Sequence, residues 1–274
     1  MEVSPRGEAR QVKADVWASG DAYEPYVGRW SRMVAREFVD WLGAPRGATW
    51  LDVGCGTGAL SQAILSAAKP ARVRSMDRSL PFAMHARRAM PDERVSFMVA
   101  DGQALPLPDE STDVVVSGLV LNFIPKPDTA LGEMARVARE GGKAAVYVWD
   151  YAEGMQLMRY FWDAAVALDP RAEAMDEGRR FPICHAYALE PRFYQAGFDE
   201  VESRPIEVPT RFRDFDDYWK PFLGGQGPAP GYAMSLTEDH RAELRERIRD
   251  SLPVAKDGSI ELVARAWAVR GTRG

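Results

Sequence analysis

The run Leu51-Asp-Val-Gly-Cys-Gly-Thr-Gly58 constrains this chain more than any other segment. It follows Thr49-Trp-Leu-Asp-Val, which reads as a short buried strand, and precedes Ala59 to Ala68, which reads as a helix ended by Lys69-Pro70. Glycine lets a backbone turn tightly and approach a ligand with no Cβ in the way. Strand, glycine turn and helix in that order begin a βαβ unit, and the turn lies at the carboxyl end of the strand, where open α/β sheets form their ligand crevice.

The rhythm continues downstream. Arg72 to Met76 reads as a second strand, Leu80 to Met90 as a helix with Pro81 in its first turn, Val95 to Ala100 as a third strand and Thr112 to Ser117 as a fourth. Asp128 to Arg139 reads as a helix that stops at Gly141-Gly142, and Lys143 to Trp149 as a fifth strand. Strands alternating with helices of about ten residues predict a parallel sheet covered on both faces. The unalternating Val114-Val115-Val116 suits such a buried strand.

Outside this core the pattern loosens. Trp30, Val34, Phe38, Trp41 and Leu42 fall on one helix face, closed by Gly43 and Pro45. Residues 1 to about 20 read as a polar lead-in. Gly154 to Leu168 is helical and aromatic-rich, Pro191 to Ala196 a short helix, Val201 to Val208 a sixth strand, and Gly224 to Gly231 a flexible loop. Ser235-Leu-Thr-Glu238 has the form of a capping box opening a helix to about Leu252, and Gly258 to Val269 alternates like a last strand. The organisation expected is a cap segment over 1–46, a core over 47–150, an insertion or lid over 151–190, and the rest of the core over 191–274 with a helical insertion at 209–257.

Composition narrows the function classes. The 274 residues carry 35 Lys and Arg against 40 Asp and Glu, a net charge of −5, which argues against a dedicated nucleic-acid binder. No window reaches the ~18 apolar residues of a membrane span. Met1 to Lys13 lacks an apolar centre, and Cys55 and Cys184 stand far apart with no metal-ligand spacing around them. A soluble, cytoplasmic protein without a metal site is expected.

Two ligand classes use a glycine turn of this kind. Gly54, Gly56 and Ala59 formally satisfy the dinucleotide pattern G-x-G-x-x-A. Asp77 ends the second strand, where a carboxylate accepts ribose hydroxyls in both NAD and S-adenosylmethionine (SAM) enzymes. Asp101 ends the third strand and is followed by Gly102, so a carboxylate and a backbone N–H stand ready for an adenine edge. Nicotinamide enzymes do not generally require that second acidic strand end. The compact methionine of SAM suits a tight G-x-G-x-G turn, with no pyrophosphate seeking the helix dipole.

Leu51-Asp-Val-Gly-Cys-Gly-Thr-Gly58, Asp77, Ala100-Asp-Gly-Gln-Ala-Leu-Pro-Leu-Pro-Asp109 and Asp113-Val-Val-Val-Ser together resemble the class I SAM-dependent methyltransferases, in the branch of the ubiquinone and menaquinone C-methyltransferases. The resemblance covers roughly residues 48 to 150. It implies a Rossmann-like, doubly wound α/β fold with a seven-stranded sheet, mostly parallel with its last strand antiparallel. It also implies that Asp52 and the backbone of Gly54, Cys55, Gly56 and Gly58 hold the methionine part, Asp77 with Arg78 the ribose side, and Asp101 with Gly102 the adenine, while Leu119 lies against the cofactor. Many relatives carry a histidine after the fourth strand, where this chain reads Leu121-Asn122-Phe123, so a role resting on that histidine has no counterpart here.

The remaining candidates come from position. Tyr23, Tyr26 and Trp30 are core aromatics or, if the N-terminal segment folds over the cofactor, its cover, with Tyr23 and Trp30 lining the substrate side; Arg29 or Arg32 then pairs with the methionine carboxylate, for which an arginine fork is matched. Asn122, Trp149 and Tyr151 end strands on the ligand side and are expected to line an acceptor pocket. His185 is a weak candidate for a general base, and no other base stands out. The function expected is methyl transfer to a small, hydrophobic or aromatic acceptor, by a monomer or homodimer that binds neither nucleic acid nor membrane. The alternatives are an NAD-dependent oxidoreductase and a non-catalytic SAM-binding module.

Overall fold

In the computed structural model, which describes residues 24–225 and 227–274, one seven-stranded sheet runs through the molecule in the order β3-β2-β1-β4-β5-β7-β6. The strands are β1 (Thr49–Val53), β2 (Arg72–Asp77), β3 (Val95–Val99), β4 (Thr112–Gly118), β5 (Ala138–Trp149), β6 (Phe198–Phe212) and β7 (Ile260–Arg273). β1 to β5 are mutually parallel, and β7 runs antiparallel between β5 and β6. From β1 the chain steps outward to β2 and β3, then returns to place β4 on the other side of β1. That reversal is the topological switch point, and it opens a crevice above the carboxyl ends of β1 and β4. The architecture is the doubly wound one expected.

The strand chemistry follows position in the sheet. Central β1 and β4 are buried on both faces, so Trp50, Leu51 and Val114 to Val116 are apolar without alternation. Edge strand β6 alternates, burying Ile206, Val208, Thr210 and Phe212, and it tolerates Pro205 and Pro209.

Among the described residues there are eight longer helices: α1 (Arg29–Leu42), α2 (Ala59–Ala67), α3 (Leu80–Ala89), α4 (Pro127–Val137), α5 (Gln156–Leu168) and α6 (Ala186–Gln195) pack on the sheet, while α7 (Pro228–Ser235) and α8 (Glu238–Ser251) pack on α5. α1 buries Trp30, Val34, Phe38 and Leu42 and ends at Gly43 in the left-handed conformation. No helix of the described residues is long and apolar enough to cross a membrane. The polar lead-in expected over residues 1 to about 20 lies outside the described residues.

Several boundaries differ from the sequence reading. Ala138 already pairs with Thr112, so β5 begins where the preceding helix was expected to continue. Gly154 accepts the N–H of Arg265 and Met155 bridges Ala264, which holds the chain extended and delays α5 to Gln156. α6 starts five residues before Pro191, which sits inside it. Pro228 occupies the first turn of α7, a helix that begins inside the flexible loop expected over Gly224 to Gly231. Thr237 is the N-cap of α8, its hydroxyl accepting the N–H of His240, while Ser235 closes α7.

Candidate active site

The glycine turn after β1 adopts a conformation that other residues rarely take. Gly54, Gly56 and Gly58 have φ of 79°, 53° and 94°. A Cβ on Gly54 would stand 2.5 Å from Val120 at the exit of β4, and one on Gly58 would stand 2.2 Å from Met90. The turn is fastened to β2: the N–H groups of Gly54 and Cys55 donate to the carbonyl of Met76 at 2.7 and 2.8 Å. Asp77 completes the tie, accepting the Gly56 N–H at 2.9 Å through Oδ2 and the Ser79 N–H at 2.8 Å through Oδ1. Burial raises its pKa above the usual carboxylate range, against those two bonds. A carboxylate has about four lone-pair sites, so the one on Asp77 keeps acceptor capacity for a ligand.

These elements enclose a cleft of about 520 Å³. Gly54, Cys55, Gly56, Asp77, Arg78, Asp101 and Gly102 line it, together with Leu119 just past β4. Asp101 is exposed, and the Gln103 backbone N–H lowers its pKa. Leu119 holds φ of 62°, rare for a branched side chain, and donates its N–H to Tyr147 at 2.8 Å. Burial raises the Cys55 thiol pKa well above its ordinary value, so it serves as a small apolar wall rather than a nucleophile.

Asp52 stands differently from expectation. Its side chain is buried beneath the turn, where Oδ2 accepts the Ser61 hydroxyl at 2.6 Å, and it does not line the cleft. Burial pushes its pKa up to about 7, with the Ser61 bond opposing and the Asp77 charge adding. Gly58 likewise packs on Met90 rather than lining the cleft, as the N-cap of α2.

The N-terminal candidates are placed elsewhere. Tyr26 is buried, donates its hydroxyl to the Met158 sulfur at 3.0 Å and meets Phe222 edge-on. Arg29 is paired with Asp217 at 3.2 Å and lies over the rings of Trp30 and Phe212, and Trp30 itself packs on Phe212. None of the three lines the cleft. Tyr23 lies outside the described residues. Trp149 is buried in β5 opposite Ala266, and the Tyr151 ring packs 5.9 Å from that of Phe181. His185 is the N-cap residue of α6, stacked on Tyr187, and is likewise absent from the cleft wall. Asn122 sits in a 3-10 turn, Leu121–Phe123, between two residues that do line it, Val120 and Phe123.

The sequence reading missed Ser31, Phe82, Phe123 and Tyr147, all in the cleft wall. One signal was available for Tyr147. Gly118 ends β4 without a side chain, and a Cβ there would stand 2.5 Å from the Tyr147 hydroxyl oxygen.

Residues 51–146 match the family model described as a methyltransferase domain. This stretch of the chain is a methyltransferase domain. The demethylmenaquinone methyltransferase of Renibacterium salmoninarum is 38% identical over 43% of this chain and 46% of its own. The 2-methyl-6-phytyl-1,4-hydroquinone methyltransferase of a Synechocystis species is 34% identical over 67% of this chain and 57% of its own. The matched stretch thus spans about half the length of these relatives. The crystal structure of the YcgJ protein from Bacillus subtilis shares the fold, with a TM-score of 0.60 at 15% identity, over 88% of this chain and 98% of that one. The cofactor of the methyltransferase domain is SAM, and the cleft fits it: Gly56 lines the cleft with nothing within 4 Å of where a Cβ would stand, and Asp77 retains free lone pairs beside it.

Proposed function

We propose that this chain transfers the methyl group of SAM to a small hydrophobic or aromatic acceptor. The observation that carries the reading is Asp77, a mostly buried carboxylate bonded to both the glycine turn and the start of α3, with acceptor capacity left over at the cleft. In this reading Asp77 binds the ribose hydroxyls, with Arg78 beside it. Asp101 and the Gly102 N–H take the adenine edge, the backbone of Gly54, Cys55 and Gly56 takes the methionine part, and Leu119 packs against the cofactor. Asp52 supports the turn from beneath through Ser61.

SAM would supply a methyl already activated by its sulfonium, so the chain's own task is alignment and exclusion of water. Phe82, Phe123, Ile124 and Leu119 give the cleft apolar walls for that purpose. The named activities of the two relatives make quinone-type rings the first acceptors to try. Both cysteines are free and buried, which suits a reducing cytoplasm.

Calorimetric titration with SAM, S-adenosylhomocysteine and NAD, repeated on Asp77→Ala, tests the reading. Micromolar binding of both sulfur compounds, lost in the variant and absent for NAD, is the expected result. Binding of NAD alone overturns it. Turnover on a panel of quinols, phenols and catechols then separates an enzyme from a SAM-binding module.

A further inference from the structure

With adenine at the end of β3, ribose at β2 and the methionine part at the turn after β1, the cofactor lies across three neighbouring strands of the order β3-β2-β1-β4-β5. The acceptor is then left the strands that follow, β4 and β5. The ionisable side chains in the cleft wall, among the described residues, are Cys55, Asp77, Arg78, Asp101 and Tyr147. Cys55 stands in the turn after β1, Asp77 and Arg78 at the end of β2, and Asp101 after β3, whereas Tyr147 belongs to β5. Ser31 of α1 also lines the cleft, but its hydroxyl donates to the Val27 carbonyl at 2.9 Å. The lining past β4, including Leu119, Val120, Phe123 and Ile124, is apolar.

Packing aims the Tyr147 phenol at this end of the cleft. Tyr147 pairs with Gly118, the last residue of β4, and the Phe38 ring of α1 lies 4.6 Å from its own. Because Gly118 has no side chain, the Tyr147 ring lies across the end of β4. Its hydroxyl oxygen and Cζ stand 2.5 and 2.6 Å from where a Cβ on Gly118 would be, and Gly118 itself lines the cleft. Neighbouring strands are ~4.8 Å apart, so a phenol that reaches over β4 stands about one strand from the line of β1 and its glycine turn.

We infer that Tyr147 is a specificity residue that donates its hydroxyl to the ionised oxygen of an acceptor phenol or enol. A phenol is an O–H donor on a rigid ring, and its bond to an ionised oxygen is roughly twice as strong as to a neutral one. The apolar lining by itself disfavours a charged ligand, so the phenol decides how readily the ionised form is held. An acceptor bound ionised has no proton left to give up. That suits a wall whose acceptor end, among the described residues, holds no carboxylate, histidine or lysine. The inference rests on the methyl-transfer reading of the cleft and narrows its acceptor to one with an acidic hydroxyl on an unsaturated carbon.

The test uses the full chain saturated with S-adenosylhomocysteine and 4-nitrophenol as probe, whose ionised form absorbs visible light and whose neutral form does not. Absorbance of the bound probe, followed across pH, gives the midpoint of its ionisation in the cleft. That midpoint is expected about one pH unit lower in the wild type than in Tyr147→Phe, a tenfold shift toward the ionised form. Cys55, Asp77, Arg78 and Asp101 in the wall and Asp52 beneath the turn are common to both proteins. Phe38 of α1 and Ala268 of β7, which flank Tyr147, carry no charge, so the difference reports the one hydroxyl. Equal midpoints overturn the inference, as does failure of the probe to bind the wild-type complex. So does a tenfold loss of S-adenosylhomocysteine affinity in Tyr147→Phe, which gives the hydroxyl to the cofactor instead. If that variant does not fold, Gly118→Ala puts a carbon against the hydroxyl and is expected to raise the midpoint likewise; an unchanged midpoint there overturns the inference. Failure of the wild type to bind S-adenosylhomocysteine at all overturns the reading on which the inference rests.

Discussion

Asp77 holds the N–H of Gly56 at 2.9 Å and so couples the end of β2 to the turn that follows β1. The same carboxylate holds Ser79 at the start of α3. One side chain thus fixes the floor of the cleft and presents its remaining lone pairs to whatever enters.

Asp77→Asn separates these two duties. An amide offers a single acceptor oxygen, so either Gly56 or Ser79 loses its bond, and the NH₂ group faces a backbone N–H. Hydrogen bonds to charged groups contribute about 1.5–3 kcal/mol each, so SAM affinity should fall roughly 10–100-fold. Calorimetry with SAM, alongside a thermal melt to show that the fold persists, measures it. Affinity within twofold of wild type would remove Asp77 from the cofactor site.

The glycines of the turn differ in what they exclude. Gly54 and Gly56 both need positive φ, which costs a residue with a Cβ about 1–2 kcal/mol. At Gly56 nothing stands within 4 Å of the added carbon, whereas at Gly54 it would meet the stiff, β-branched Val120 at 2.5 Å. Gly54→Ala should therefore cost about 1–3 kcal/mol more than Gly56→Ala, the range for forcing a methyl into a packed site. Urea unfolding of the two variants gives the comparison. Equal costs would mean that backbone strain alone fixes the turn.

What was legible in the sequence was legible because it is local. The glycine turn, Asp77 and Asp101 lie at strand ends, and a strand's end can be read from the residues that form it. Tyr26 and Arg29 were not legible in the same way. Their partners, Met158 and Asp217, lie 132 and 188 residues further along, and nothing near Arg29 announces that an aspartate is waiting. Asp52 was found as part of the motif, but its direction was not, since Ser61 comes from the helix packed beneath the turn. The α7 helix escaped notice because Pro228, Pro230 and Gly231 read as loop, although proline is at home in a first helical turn.

Glu177 gives the fold a pH dependence. It is buried, with Trp162 Nε1 donating to its carboxylate, and burial pushes its pKa from 4.5 up to about 8. A carboxyl whose folded-state pKa is raised binds more protons folded than unfolded across that interval, so stability falls as pH rises from about 4.5 to about 8. Asp52, raised to about 7, acts with the same sign over a lower window. Glu177→Gln retains an oxygen for the Trp162 bond and has no proton to lose. Thermal melts from pH 5 to 8.5 should show the wild-type Tm declining and the variant declining less, with Asp52→Asn added on top flattening the curve further. A wild-type Tm that rises over this range would contradict the burial cost assigned to both carboxyls.

The exit of β5 rests on an ion pair between Asp150, fully buried, and Arg265 of β7, which reaches Oδ2 with Nη2 at 2.6 Å and Nε at 2.7 Å. Backbone bonds run in parallel: Asp150 donates its N–H to Arg265 and Arg265 donates its own to Gly154. The side-chain pair therefore locks a corner that the backbone has already brought together. Arg265 is partly exposed and also faces Glu153 and Glu207, so Arg265→Leu strands one buried carboxylate and leaves the other two in water. Removing one partner of a buried pair costs about 3–5 kcal/mol, because the charge left behind is uncompensated. Adding Asp150→Asn should recover a large part of that loss, since a neutral amide can still accept the N–H of Glu153 that Asp150 accepts at 3.1 Å. Urea unfolding of the single and double variants decides it. If the double variant is no more stable than Arg265→Leu, packing of the arginine stem against Gly154, rather than its charge, holds this corner.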